Sequence, residues 1–420
     1  MDPPVGSKTE LVGLLRQAAE LEHGLCCQYL YAAFTLKAAG DAGVTPSQAE
    51  LTRHWQQQIS RVAIQEMYHL LLANDMLVAL DAPPHFWRPN FPEPRSHYSE
   101  IGLPSVLAPF DRATATRFMC WEKPEEAGWW DGYCQNVSAA ETERLAAFAD
   151  IAIAIPAYRT IGQLYGIIEA SFQAHPEWID PAQAPRQVTT EYVPFTPKVK
   201  PITTAADASR YIEIIVEEGE GTPNWDTKSH FAYYHQIVNE LNPQAPHPLS
   251  FVPSWPTVEN PVYDPADARP GSSLIEDPVA AAVGRLFNDL YVLMLQTLMR
   301  LFEPDDETPA ERRALADAAL AVMPLGIKPL GILLTRLPAG TKFPGLFAGP
   351  SFELPTSVPR VEGDAAFAIG ILGVRMHELV TRARIVGLHV PPPLRYAYDE
   401  TVARLETLVP LFTGLVAAPS

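Results

Sequence analysis

The stretch Ser60–Leu80, SRVAIQEMYHLLLANDMLVAL, constrains this chain more than any other. It lacks Gly and Pro, and its apolar residues recur at helical spacing, so it predicts a long buried helix. Glu66 and His69 sit three residues apart within it and therefore share one face, a turn apart. That face also carries Val62, Ala63, Leu70, Ala73 and Leu77. A carboxylate and an imidazole on a core-facing stripe are costly to bury unless something pairs them. They can pair with each other or turn to solvent, or they can share a metal ion. In carboxylate-bridged two-metal bundles, two helices each give a Glu-x-x-His pair and two more each give a Glu. The rest of the chain must then supply four further ligands.

The first long helix spans Ser7 to Ala39, and Ser7 with Glu10 reads as a capping box. Glu22 stands in the middle of its buried stripe, with Ala18 and Cys26 a turn to either side and Tyr29 further along. The second helix opens at Thr45-Pro46 and stops at Asp81-Ala82-Pro83-Pro84. Residues 81–110 form a long Pro-, aromatic- and His-rich connection in which His85, Trp87, Arg88 and His97 are candidates for a lid. A third bundle helix is expected over Ser138–Gln173, broken at Pro156. Glu169 is the only carboxylate between Pro156 and His175, and Tyr165 precedes it by one turn. The fourth helix opens at Thr204, breaks near Gly221 and resumes near Ser229. If 222–228 loops out, Glu220-Gly221-Ser229-His230 closes into a second Glu-x-x-His. Glu217, in phase with Glu213, is the alternative ligand on this helix.

The expected metal ligands are thus Glu22, Glu66, His69, Glu169, Glu220 and His230, with Tyr29 and Tyr165 as candidate catalytic residues. Four carboxylates offset two divalent ions, and the mixed O/N set suits Fe, with Mn as the alternative. A Pro-rich connection over 243–275 separates residues 1–242 from a helical C-terminal domain, 276–420, with no ligand constellation of its own. Net charge of −18 argues against a nucleic-acid partner. No stretch approaches the ~20 uninterrupted apolar residues of a membrane span. The four cysteines, two of them adjacent, suit a reduced cytoplasmic protein better than a disulfide scaffold.

LEHGLCCQYLYAAF (21–34), QEMYHLLLANDML (65–77), TIGQLY (160–165) and EEGEGTP…SHF (217–231) together resemble the ferritin-like domain of the iminophenyl-pyruvate dimer synthase family, found in violacein and rebeccamycin biosynthesis. NPVYDP (260–265), FNDLYVLMLQTL (287–298) and AGPSFE (348–353) extend the resemblance over most of the chain. It implies an all-α fold, a ferritin-like four-helix bundle with long Pro-rich loops plus a C-terminal helical domain. It also implies an iron-dependent oxidase or oxygenase, with two Fe ions, O2 and a small, amino-acid-derived substrate. One departure stands out. The family's third-helix motif often reads IGEFY, so Gln163 occupies a position where Glu is usual. If that position is a ligand, one metal binds tightly and the second weakly; if Glu169 is the ligand, the site is complete. The competing readings are an iron store and a structural member of the family with a degenerate site. A homodimer through the C-terminal helices is a further expectation.

Overall fold

A computed structural model describes residues 3–93, 95–98, 100–125, 134, 156–219, 228–242 and 251–413. Helix α1 (Lys8–Thr35) is capped by Ser7, whose hydroxyl accepts from the Glu10 amide. From Leu21 to Thr35 every side of α1 is buried, which marks it as the central rod of the molecule. Helix α2 (Pro46–Ala79) starts in a full capping box between Thr45 and Gln48, with Pro46 in its first turn. It ends where Asp81 takes a left-handed conformation, φ 53°, ahead of Pro83. α1 and α2 form the most extensive helix pair in the chain.

The other two rods are each split. Helices α3 (Arg112–Trp121) and α4 (Ile161–Ala174) are capped by Asp111 and Thr160. Helices α5 (Ala205–Gly219) and α6 (His230–Glu240) follow, the latter capped by Ser229. α3 packs on α6, and α4 packs on α5 and α1. This pairing is that of two antiparallel rods, α3 then α4 against α5 then α6, each interrupted by an excursion. Helix α3 thus lies ahead of the expected Ser138 start, and the part of the expected helix after Pro156 is present as Ile161–Ala174. Residues 138–155 lie outside the described residues.

The C-terminal part contributes α7 (Pro278–Phe302), α8 (Pro309–Val322), α9 (Lys328–Leu334), α10 (Ala365–Gly387) and α11 (Pro392–Thr413). Pro324 and Pro329 do not separate α8 from α9. A wide π-type turn over Met323–Ile327 carries the chain from one to the other, accommodating prolines that cannot donate a ladder hydrogen bond. Residues 251–275 are fastened to the bundle. Trp255 N–H donates to Thr35 O, Lys37 N–H to Pro253 O, and Asn260 N–H to Leu107 O. The two-residue strands β1 (Pro261–Val262) and β2 (Ser273–Leu274) pair in parallel there. The buried core runs without interruption from Val5 to Phe412.

One expectation is corrected here. Cys120 and Cys134 are joined by a disulfide, their Cα atoms 5.6 Å apart, while Cys26 and Cys27 are free and buried. The 14-residue spacing hid a pair that the fold brings together. Helix α7 and the run Pro309–Leu334 are both long and apolar enough on average to cross a membrane, although charged residues interrupt each of them, in keeping with the expected lack of an uninterrupted apolar run. In each, half or more of the apolar window is buried inside the protein, as expected of core helices that pass the same length test.

The C-terminal helices pack directly on α1. A Cβ on Gly331 of α9 would lie 2.5 Å from the ring of Phe34, far inside van der Waals contact. Gly331→Ala is therefore expected to lower stability by about 1–3 kcal/mol through overpacking, read as a lower thermal midpoint with far-UV circular dichroism unchanged. An unaltered midpoint would show that this contact yields without cost.

Candidate metal centre

The bundle interior holds two overlapping groups of donors. Glu22, Glu66 and His69 form one; Glu66, Glu122 and His230 form the other. All five side chains are buried to within 2% of complete. Glu22 comes from α1, Glu66 and His69 from successive turns of α2, Glu122 from the C-terminal cap of α3 and His230 from the first turn of α6. His69 Nδ1 lies 2.9 Å from Glu66 Oε2 and 3.8 Å from Glu22 Oε2. His230 Nδ1 lies 3.0 Å from Glu66 Oε1 and 3.5 Å from Glu122 Oε2. Each oxygen of Glu66 thus faces a different imidazole. The two rings are near-parallel, their centroids 5.5 Å apart.

Outer partners hold these groups in place. Tyr165 donates its hydroxyl to Glu22 Oε1 at 2.7 Å, and Tyr29 donates to Glu122 Oε1. The Tyr29 and Tyr165 hydroxyls, expected to be catalytic, therefore each contact a carboxylate of one donor group. His69 Nε2 meets Glu218 Oε2 at 3.0 Å. With Nδ1 turned to the acids and Nε2–H on a carboxylate, His69 has the orientation of a metal-bound imidazole with its outer partner. Tyr234, one turn after His230, is fully buried, and its ring lies 5.1 Å from that of Tyr29.

Without a metal, protons take up the charge. Burial pushes the Glu22 carboxyl well up, and the neighbouring Glu66 adds to this. Burial and Glu66 likewise raise Glu122. Burial would also raise Glu66, but His230 and His69 outweigh it and hold Glu66 well below the usual carboxylate range. Burial opposes charging of His230, yet Glu66 and Glu122 bring it up to about 9. His69 is raised too, by Glu218 and Glu66 against burial.

The donor set fits a metal ion at either of the two overlapping groups. Glu66 Oε1 and both nitrogens of His230 are buried without an aligned hydrogen-bond partner, although Glu66 and His230 approach to 3.0 Å. Lone pairs that converge without a donor–acceptor line between them suit a shared cation. Glu22, Glu66, Glu122, His69 and His230 would hold it, Glu66 belonging to both groups.

Four of the six ligands expected from sequence, Glu22, Glu66, His69 and His230, come together here. Glu169 does not. It is half-buried, accepts from Gln173 Nε2 and lies with Glu213 and Glu217 beside an open surface groove. The buried face of α4 runs through Ile161, Leu164, Tyr165 and Ile168, and Glu169 falls off its edge. Gln163 also faces away, accepting from the Arg159 amide and donating to Glu125. Glu220 lies outside the described residues; Glu218, two residues earlier on α5, is the acid that reaches His69. Glu122 was missed because it follows the helix rather than sitting inside an apolar repeat. The Asp111 cap and the ten-residue helix ending one residue before it were the available signal.

The ferritin-like family profile matches residues 15–239, more than half of the chain. The chain belongs to the ferritin-like family. Relatives include dichlorochromopyrrolate synthase of Lentzea aerocolonigenes, 25% identical over 97% of this chain and 41% of that protein. The 2-imino-3-(indol-3-yl)propanoate dimerase of Chromobacterium violaceum is 24% identical over 91% of this chain and 38% of its own length. The chain thus spans about two-fifths of these relatives. The crystal structure of a ferritin-like protein from Caulobacter vibrioides shares the fold, with a TM-score of 0.50 and 20% identity over 84% of this chain and all of that one.

Proposed function

We propose that this ferritin-like protein is a non-haem iron oxidase or oxygenase with a two-metal centre, acting with O2 on a small, amino-acid-derived substrate in specialised metabolism. The observation that carries the reading is Glu66, whose two oxygens face His69 and His230 in a dry interior. Two iron ions bound there would supply electrons for the reduction of dioxygen, and manganese fits the same donors. Glu22 and His69 would hold metal on one side, and Glu122 and His230 on the other. Tyr165 and Tyr29 orient the terminal carboxylates, and Glu218 fixes the His69 ring. Close packing of Phe118, Tyr29 and Tyr234 beside Glu122 keeps water from that side. The names of the relatives, a synthase and a dimerase of amino-acid-derived molecules, support a biosynthetic oxidation rather than iron storage.

The test is anaerobic loading with Fe(II), elemental analysis, then admission of O2. About two irons per chain and oxygen uptake that stops at a fixed ratio to iron are expected. Continued uptake with growth of a ferric mineral would indicate a store. Failure to retain iron would indicate a degenerate structural member of the family.

A further inference from the structure

Glu218 differs from the rest of the centre in one respect. Its side chain is 20% exposed, against 2% or less for Glu22, Glu66, His69, Glu122 and His230. The buried centre therefore meets the surface at Glu218. An open groove of about 490 Å³ begins there, a size that suits a small organic molecule.

The walls of the groove have a definite chemistry. Tyr68 and Phe195 stack with ring centroids 5.0 Å apart and form an aromatic side. Gln56 and Gln65 of α2 add amides. Arg61 of α2 and Lys328 of α9 bring two exposed cations to the same groove. Neither has a carboxylate within ion-pair distance among the described residues. Arg61 makes only a loose approach to the Tyr233 ring, 5.8 Å to its centroid. Most other arginines of the chain donate to an acid or a carbonyl. In a chain of net charge −18, two unpaired cations beside one groove are a local reversal of the field, which concentrates anions. The one acid in the groove, Glu218, is already engaged by His69.

We infer that this groove is the substrate port, and that Arg61 and Lys328 bind the carboxylate of a small aromatic acid whose ring lies along Tyr68 and Phe195. Arg61 suits a carboxylate through its planar fork, and Lys328 adds a point charge on a flexible stem. Recognition is shared between the bundle and the C-terminal helices, which gives those helices a role in the site beyond packing. The assignment rests on the proposed function for the identity of the substrate, but the binding event needs no metal and no oxygen.

The test is calorimetric titration of metal-free protein with phenylpyruvate and with its methyl ester, in wild type, Arg61→Gln, Lys328→Gln and the double variant. Wild type is expected to bind the acid at least about tenfold more tightly than the ester, with affinity falling as salt rises. Each single variant is expected to lose about five- to tenfold for the acid, and the double variant about 30-fold or more. The ester is expected to change by less than about twofold. Equal binding of acid and ester by wild type, acid affinity unchanged in the double variant, or no acid binding by wild type at millimolar concentration would each overturn the assignment. Metal-free binding that follows this pattern in a protein that retains no iron would leave the port standing and remove the oxidase.

Discussion

Glu66→Gln is expected to abolish tight binding of both metal ions, whereas Glu22→Gln weakens only one. The asymmetry follows from position. Glu66 presents one oxygen toward His69 and Glu22 and the other toward His230 and Glu122. Glu22 faces only the first group. Changing an outer partner of a metal ligand typically costs 10–100-fold in affinity, so loss of a ligand common to both ions is expected to exceed about 100-fold for each. The amide keeps the shape and volume of the carboxylate, which limits damage to packing. Charge is the larger risk, since His69 and His230 lose the anion that keeps them protonated, and both can discharge by releasing a proton. Helix content by circular dichroism should therefore stay near wild type while iron per chain falls from about two to near zero. Glu169→Gln, at the surface groove beside Glu213 and Glu217, should retain both ions. Full iron in Glu66→Gln, or loss in Glu169→Gln, would mean that the shared carboxylate has been misplaced.

How far the sequence reached depended on where each ligand sits in its helix. Glu22, Glu66 and His69 lie deep inside long uninterrupted helices, where helical phase fixes the facing direction, and all three point inward as periodicity implies. His230 was reached through the idea that the fourth rod is interrupted; the extended Ser229 cap ahead of α6 agrees with a fresh helix start there, while 220–227 lie outside the described residues. The third rod was harder. Phase arguments work only within a continuous helix, and here α3 and α4 are separated by nearly forty residues. Glu122 caps the end of α3, where no repeat predicts a facing direction. Glu169 satisfied the composition rule but sits 100° beyond Ile168, past the edge of the buried stripe. The two halves of the chain looked separable because prolines are dense at 243–275. Prolines restrict the backbone without preventing packing, and the hydrogen bonds from Lys37, Trp255 and Asn260 tie that segment to the bundle.

The stability of the metal-free protein should fall as pH rises from about 4 to about 7, and Asp75→Asn should remove part of that fall. Asp75 lies on α2, six residues beyond His69, and is completely buried. Burial pushes its carboxyl from the ordinary value of 3.8 up to about 7. The Val188 amide, which donates to Oδ1 at 2.6 Å, the nearby Arg312 and the Tyr211 hydroxyl all favour the anion but do not overcome burial. Between the two values the folded chain keeps a proton that the unfolded chain has released. Folded protein therefore binds more protons, and unfolding free energy declines with pH across that window and levels off above it. Three pH units at about 1.4 kcal/mol each set a ceiling of about 4 kcal/mol. Asn keeps an acceptor for the Val188 amide. Its NH2 can donate to the Tyr211 hydroxyl, which already donates to Lys200 O at 2.9 Å. At pH 8 the variant should melt about 3–6 °C higher than wild type, and at pH 4.5 the gain should vanish. The same difference at both pH values would show that Asp75 is ionised throughout, held by Arg312 and the Val188 amide despite its burial.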